Sequence, residues 1–145
     1  MKKHAILSVL VIILVLVSCK EKAKNENSIV EKLTNKIEVL DFHSTHRCMT
    51  CNAIETNTRF TLETYFSKQL KNKDITFKAV NVDEEENFKL AEKFEATGTA
   101  LFLNVIVDGK ETKIDLTNFA FMNGNDKEVF SNELKTKILL ELEKI

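Results

Sequence analysis

Two cysteines three residues apart, Cys48 and Cys51, are the residues of this chain best suited to chemistry. A bridge between them would close almost no loop and add little to stability, so the pair reads as chemical, not structural. Cysteine reacts as the thiolate. The proton leaves readily beside positive charge, or at a helix N-terminus where backbone N–H groups lack partners. Arg47 directly precedes Cys48, and His46 precedes Arg47; both are candidate electrostatic tuners of Cys48. At a helix start Cys48 would be the exposed nucleophile and Cys51, one turn on, the buried resolving thiol. Attack by Cys48 on a partner disulfide would then give a mixed disulfide that Cys51 resolves. On this reading the redox-active disulfide is itself the working group and no separate cofactor is required.

The same stretch offers two other readings. His43, His46, Cys48 and Cys51 are four side chains of the types that hold zinc or copper, although both histidines would have to fold back from the loop. A third reading is a non-catalytic docking subunit whose cysteines rest oxidised. Titration with zinc or copper tests the metal reading, and exchange with a model disulfide tests the docking reading.

The surrounding pattern sets the pair at a helix start. Lys36 to Phe42 predicts a strand, apolar at Ile37, Val39, Leu40 and Phe42. Cys48 to Leu70 contains neither Gly nor Pro. It puts Cys51, Ile54, Thr58, Leu62, Tyr65, Phe66 and Leu70 on one face at helical spacing, which predicts an unbroken helix. Ile75 to Val82 alternates as a strand does. Glu84 to Phe94 predicts a shorter helix with Phe88, Leu90, Ala91 and Phe94 as apolar contacts, and the acidic run Asp83 to Glu86 suits its positive dipole end. Thr99 to Val107 predicts a strand, Asp108-Gly109 a tight hairpin turn, and Lys110 to Leu116 the antiparallel partner. Phe119, Phe121 and Met122 read as closing the core beneath the last helix, and Asn123-Gly124-Asn125 as a turn with Asn125 as helix cap. Asp126 to Ile145 predicts an amphipathic helix with Phe130, Leu134, Ile138, Leu142 and Ile145 in a stripe. The order β-α-β-α-β-β-α predicts an α/β domain with a central mixed sheet, a right-handed parallel crossover and helices on both faces.

Composition narrows the partners. The 145 residues suit one domain. Net charge is −1, with no basic block, which argues against nucleic acid, whose phosphates demand clustered Lys and Arg. The N-terminus reads as a leader: Met1-Lys2-Lys3-His4 is a basic start before an apolar run, Ala5 to Val17. That run is about 13 residues, and crossing a bilayer takes about 20. Leu16-Val17-Ser18-Cys19 resembles the lipobox of bacterial lipoproteins, which implies a leader over 1–18 and a lipid anchor at Cys19. Residues 19–35 then read as lipidated N-terminus and tether, because Lys20 to Ser28 is polar and lacks apolar anchors. The domain occupies 36–145. The expected setting is the cell envelope, membrane-anchored and facing the periplasm, where disulfides persist.

The stretch from Leu40-Asp41-Phe42 through Cys48-Met49-Thr50-Cys51 resembles the active-site segment of the thioredoxin superfamily. Gly98-Thr99-Ala100-Leu101, the hairpin and the last helix resemble that fold's second half, so the likeness covers roughly residues 36 to 144. The ordered run His43-x-x-His46-Arg47-Cys48-x-Thr50-Cys51 more narrowly resembles the ArsF-type family, labelled as subunits of a nitrophenyl compound nitroreductase. The resemblance implies a thioredoxin-like fold, thiol–disulfide exchange, and electron delivery to a partner that reduces nitroaromatic compounds. It also maps a buried acid, proton acceptor for Cys51, onto Asp41, although this chain has one extra residue before the cysteines. A second departure concerns the cis-proline that thioredoxins place opposite the cysteines and that shields them from metal. Ala100 stands there instead. A cis bond before Ala would cost roughly 2.5–4 kcal/mol, so a trans bond is expected.

Overall fold

The computed structural model describes residues 35–145. The leader over 1–18, the lipid-site Cys19 and the tether up to residue 34 lie outside the described residues.

Four strands form one sheet: β1 (Lys36–His43), β2 (Ile75–Asn81), β3 (Ala100–Val107) and β4 (Lys110–Asp115), in the order β2-β1-β3-β4. β1 pairs parallel with β2, Ile37 opposite Ile75, and antiparallel with β3, Val39 opposite Leu103. The parallel pair needs a crossover, which α1 (Met49–Tyr65) and α2 (Ser67–Asn72) supply. β3 and β4 close on Asp108 and Gly109, both at positive φ (49° and 77°), as a two-residue hairpin turn requires.

Side chains alternate along β1 and divide the core in two. Ile37 and Val39 face a core with Ile54 and Leu62 of α1, Leu101 and Leu103 of β3, and Phe130, Leu134 and Ile138 of a long last helix, α5 (Lys127–Leu142). Leu40 and Phe42 face the other way, toward Ala91 of α3 (Phe88–Lys93) and the Phe42, Phe94, Phe102 cluster, whose rings lie 5.3 to 5.9 Å apart. Helices thus cover both faces of a mixed sheet, and the fold is thioredoxin-like, as expected.

Local departures from expectation have local causes. The helix over 48–70 breaks at Phe66 (φ −128°, ψ 24°), whose ring is 1% exposed and anchored in the core. The segment opening at Glu84 begins as a 3-10 turn (Glu85–Asn87). There the buried Asn87 donates to the Asn81 carbonyl at 3.0 Å and to Glu84 at 3.1 Å, which draws the turn tight. Phe88, expected as a core contact, is 52% exposed. Thr117–Asn123 forms a short helix, α4, that periodicity did not predict, and Phe119 stacks on Phe130 at 5.0 Å from it. The cap of α5 is Asp126, whose Oδ1 accepts from the Val129 N–H at 3.1 Å. Asn125 is occupied elsewhere.

Candidate functional site

Cys48 and Cys51 are joined as a disulfide, with Cα atoms 5.1 Å apart. Cys48 is the N-cap of α1, in extended conformation, and its Sγ accepts a hydrogen bond from the Cys51 N–H at 3.1 Å. A cap position normally uses an oxygen acceptor; here the sulfur takes that role, facing the free N–H groups of the first turn. Cys48 is exposed and Cys51 is 7% exposed. This is the asymmetry expected for an attacking and a resolving sulfur. Met49 between them is 88% exposed. A cleft of about 510 Å³ is lined by residues such as Lys93, Thr97, Lys113 and Thr117 and by neither cysteine. The disulfide sits on an open surface.

Three neighbouring segments fix that surface. The loop before the cysteines is tied to the end of β2: the Thr45 N–H donates to Asp83 at 2.7 Å, and Asn81 donates to the Thr45 hydroxyl at 3.1 Å. The Thr45 N–H bond, first of all, holds the Asp83 carboxyl below its usual value, and the nearby His46 and His43 add to the effect. On the far side of α1, Asn125 donates to the Thr50 hydroxyl at 3.2 Å and buried Asn57 donates to the Gly124 carbonyl at 2.9 Å. A Cβ on Gly124 would lie 2.7 Å from the Ala120 carbonyl and 2.9 Å from Ile54, so only glycine permits this approach. The loop before β3 lies against the cysteine loop, Gly98 facing the Ser44 hydroxyl. Every peptide bond among the described residues is trans, the one before Ala100 included.

Beneath the cysteines lies a chain of charges. Asp41 is 0% exposed, and neither carboxylate oxygen has a hydrogen-bond partner among the described residues. Burial raises its carboxyl to about 7 against the pull of Arg47. The Arg47 guanidinium reaches inward. Its Nη2 lies 3.7 Å from Asp41 Oδ2 and donates to the Cys51 carbonyl at 3.2 Å, while Nη1 donates to Glu55. Glu55 also accepts from Arg59 Nε at 2.7 Å. Burial alone would raise the Glu55 carboxyl, but hydrogen bonds from Arg47 and Arg59 hold it below its usual value.

Of the residues singled out from sequence, Asp41, Arg47, Cys48 and Cys51 therefore converge. His43 ends β1, its Nδ1 3.1 Å from the Ser44 carbonyl, and His46 is exposed beside Asp83. Among the described residues no group of three or more His, Cys, Asp or Glu side chains is arranged to hold a metal ion. Glu55 is the member that sequence reasoning missed. Its only sequence signal is the i,i+4 spacing to Arg59; the link to Arg47, eight residues away, exists only in the fold.

No family model matches the chain, and no curated protein matches it. Solved structures that match the chain include the following three. Thioredoxin-2, described as a component of the malaria parasite protein secretion machinery, shares 23% identity over 72% of this chain and 82% of its own, with a TM-score of 0.46. Fasciola hepatica thioredoxin shares 22% identity over 70% and 80%, with a TM-score of 0.42. A structure described only as a malarial protein shares 20% over 61% and 96%, with a TM-score of 0.39. The strand order and the helical layers on both faces make the fold thioredoxin-like, and the disulfide stands at the start of α1.

Proposed function

We propose that this chain is a thiol–disulfide exchange protein that passes electron pairs between its Cys48–Cys51 couple and a protein partner. The observation that carries this reading is an exposed sulfur at a helix N-cap, accepting an N–H bond and linked to a buried second sulfur one turn on. In the reduced protein that N–H and the unpaired donors around it favour the thiolate at position 48. The Cys48 thiolate attacks a partner disulfide and expels one partner thiolate. Cys51, losing its proton, then attacks Cys48 and expels the second. The partner gains two electrons, and the chain returns to the disulfide form described above. The steps run equally in reverse, with a partner thiolate attacking exposed Cys48. An open site with a protruding Met49 suits a macromolecular partner better than a small molecule held in a cavity.

The finer reading places the chain in the cell envelope as a lipoprotein anchored at Cys19, delivering electrons to a reductase, with nitroaromatic compounds as terminal substrates. Support for it comes from the Leu16–Cys19 segment and from the His43 to Cys51 motif. The direct experiment expresses a Cys51→Ala variant in its native envelope and isolates disulfide-linked complexes. A single dominant partner, released by reductant and absent from a Cys48→Ser control, is the expected result. Wild-type protein that neither exchanges with a model disulfide nor traps any partner would leave a docking domain. Fatty-acid labelling that is lost in Cys19→Ser tests the anchor.

A further inference from the structure

Arg47 stands one guanidinium-width from the buried carboxylate of Asp41, yet it does not close on it. The contact is 3.7 Å, longer than a hydrogen bond, and the Arg47 Nε is buried with no partner among the described residues. A guanidinium beside a buried carboxylate normally pairs through two short parallel bonds. Glu55 holds it back. Glu55 binds Nη1 from the helix side and is itself fixed by Arg59 Nε at 2.7 Å, while the Arg59 guanidinium lies 4.5 Å from the centre of the Phe77 ring on β2. Arg47 is thereby left with Nη2 on the Cys51 carbonyl.

We propose that Glu55 is a positioning residue for the Cys48–Cys51 couple, acting through Arg47: it fixes the guanidinium under Cys51 and supplies the counter-charge that limits how much of Arg47's field the sulfurs feel. This rests on the exchange function proposed above. The charged groups around the guanidinium are Asp41 from β1 and Glu55 from α1, with Arg59 behind Glu55; its Nη2 reaches the Cys51 carbonyl, and His43 and His46 lie toward Asp83. Reduction adds two electrons and two protons to the disulfide, and one proton leaves again when Cys48 is a thiolate. Positive charge nearby favours that thiolate and so favours the reduced form. Glu55 opposes this and keeps the couple more reducing. Asp41 ionises more readily once Glu55 is gone, but it restores at most part of the lost negative charge, so the sign does not reverse.

The test equilibrates full-length protein with reduced and oxidised glutathione: protein disulfide and two glutathione thiols on one side, protein dithiol and glutathione disulfide on the other. Glu55→Gln, which keeps size and removes charge, should shift this equilibrium toward the dithiol about three- to tenfold. It should also move the pH midpoint of Cys48 alkylation downward. Arg47→Gln should shift the equilibrium the opposite way, and the double variant should return to within about twofold of wild type. Glu55→Asp, retaining the charge, should stay closer to wild type than Glu55→Gln does, which keeps the test decisive should Arg47→Gln fold poorly. A folded Glu55→Gln with a wild-type equilibrium overturns the inference, as does a double variant that keeps the full Glu55→Gln shift. Wild-type protein that does not equilibrate with glutathione at all would instead overturn the exchange function.

Discussion

One face of β1 carries Ile37, Val39 and Asp41 in succession, and its two ends obey different rules. At the first end Ile37 and Val39 are 0% exposed and belong to an apolar cluster with Leu103 and Ile138. At the other end the next position on the same face holds a carboxyl, also 0% exposed, with no hydrogen bond on either oxygen and a guanidinium 3.7 Å away. Burial stabilises the fold at the first end, through removal of apolar area from water. At the second it costs free energy, because an ionised carboxylate is desolvated without compensating bonds. The costly end is the one that Arg47 links to the Cys51 carbonyl. A fold optimised only for stability would continue the apolar stripe through position 41.

That contrast is open to attack by substitution. The largest effect belongs to the apolar end: Leu103→Ala should destabilise the protein by about 2–5 kcal/mol, read as a lower urea midpoint with an unchanged slope. Asp41→Asn should do the opposite. In the unfolded chain this carboxyl ionises near its ordinary 3.8, and in the folded chain near 7. Between those values the folded chain holds a proton that the unfolded chain has shed, so wild-type stability falls as pH rises from about 4 to 7 and then levels off. The variant should therefore gain on the order of 2–4 kcal/mol at pH 8 and almost nothing at pH 4, while resolving a mixed disulfide more slowly. Destabilisation at pH 8 would erase the distinction between the two ends.

Smaller effects test how the site end is braced. Gly124→Ala, with a Cβ forced to within 2.9 Å of Ile54, should cost about 1–3 kcal/mol and alter the exchange rate, since the same turn holds Thr50 beside Cys51. Asp126→Ala should cost about 0.5–2 kcal/mol through loss of the α5 cap. Asn125→Ala should leave the cap intact and show itself in exchange kinetics instead of in thermal melting. Equal melting losses at 125 and 126 would mean that the two roles are shared.

Much of this architecture was readable along the chain. The alternation of Ile75–Asn81, the apolar run of Ala100–Val107, the Asp108-Gly109 turn and the helical stripe through Phe130, Leu134 and Ile138 are all short-range signals, set by backbone geometry within a few residues. The position of Cys48 at a helix start was legible for the same reason, since a polar loop meets an uninterrupted helical pattern there. Helix α4 was not legible: seven residues bury only Ala120 fully, and no side chain caps them. The break at Phe66 was hidden because neither Gly nor Pro marks it; what ends the helix is a ring held in the core. The cap was misplaced by one residue because Asn125 and Asp126 are both good caps, and a contact with Thr50, 75 positions away, takes the first of them.

The sequence by itself determined where the sulfurs stand, which one is exposed, and the order of strands and helices around them, because these follow from spacing and local backbone preference. Only the tertiary structure decided what surrounds the sulfurs. Asp41, Arg47 and Glu55 are strangers by periodicity: one lies on a strand, one sits in a loop, one lies on a helix. The packing of α1 against β1 brings their charges within 4 Å, and electrostatic coupling depends on that separation and on the water excluded from it.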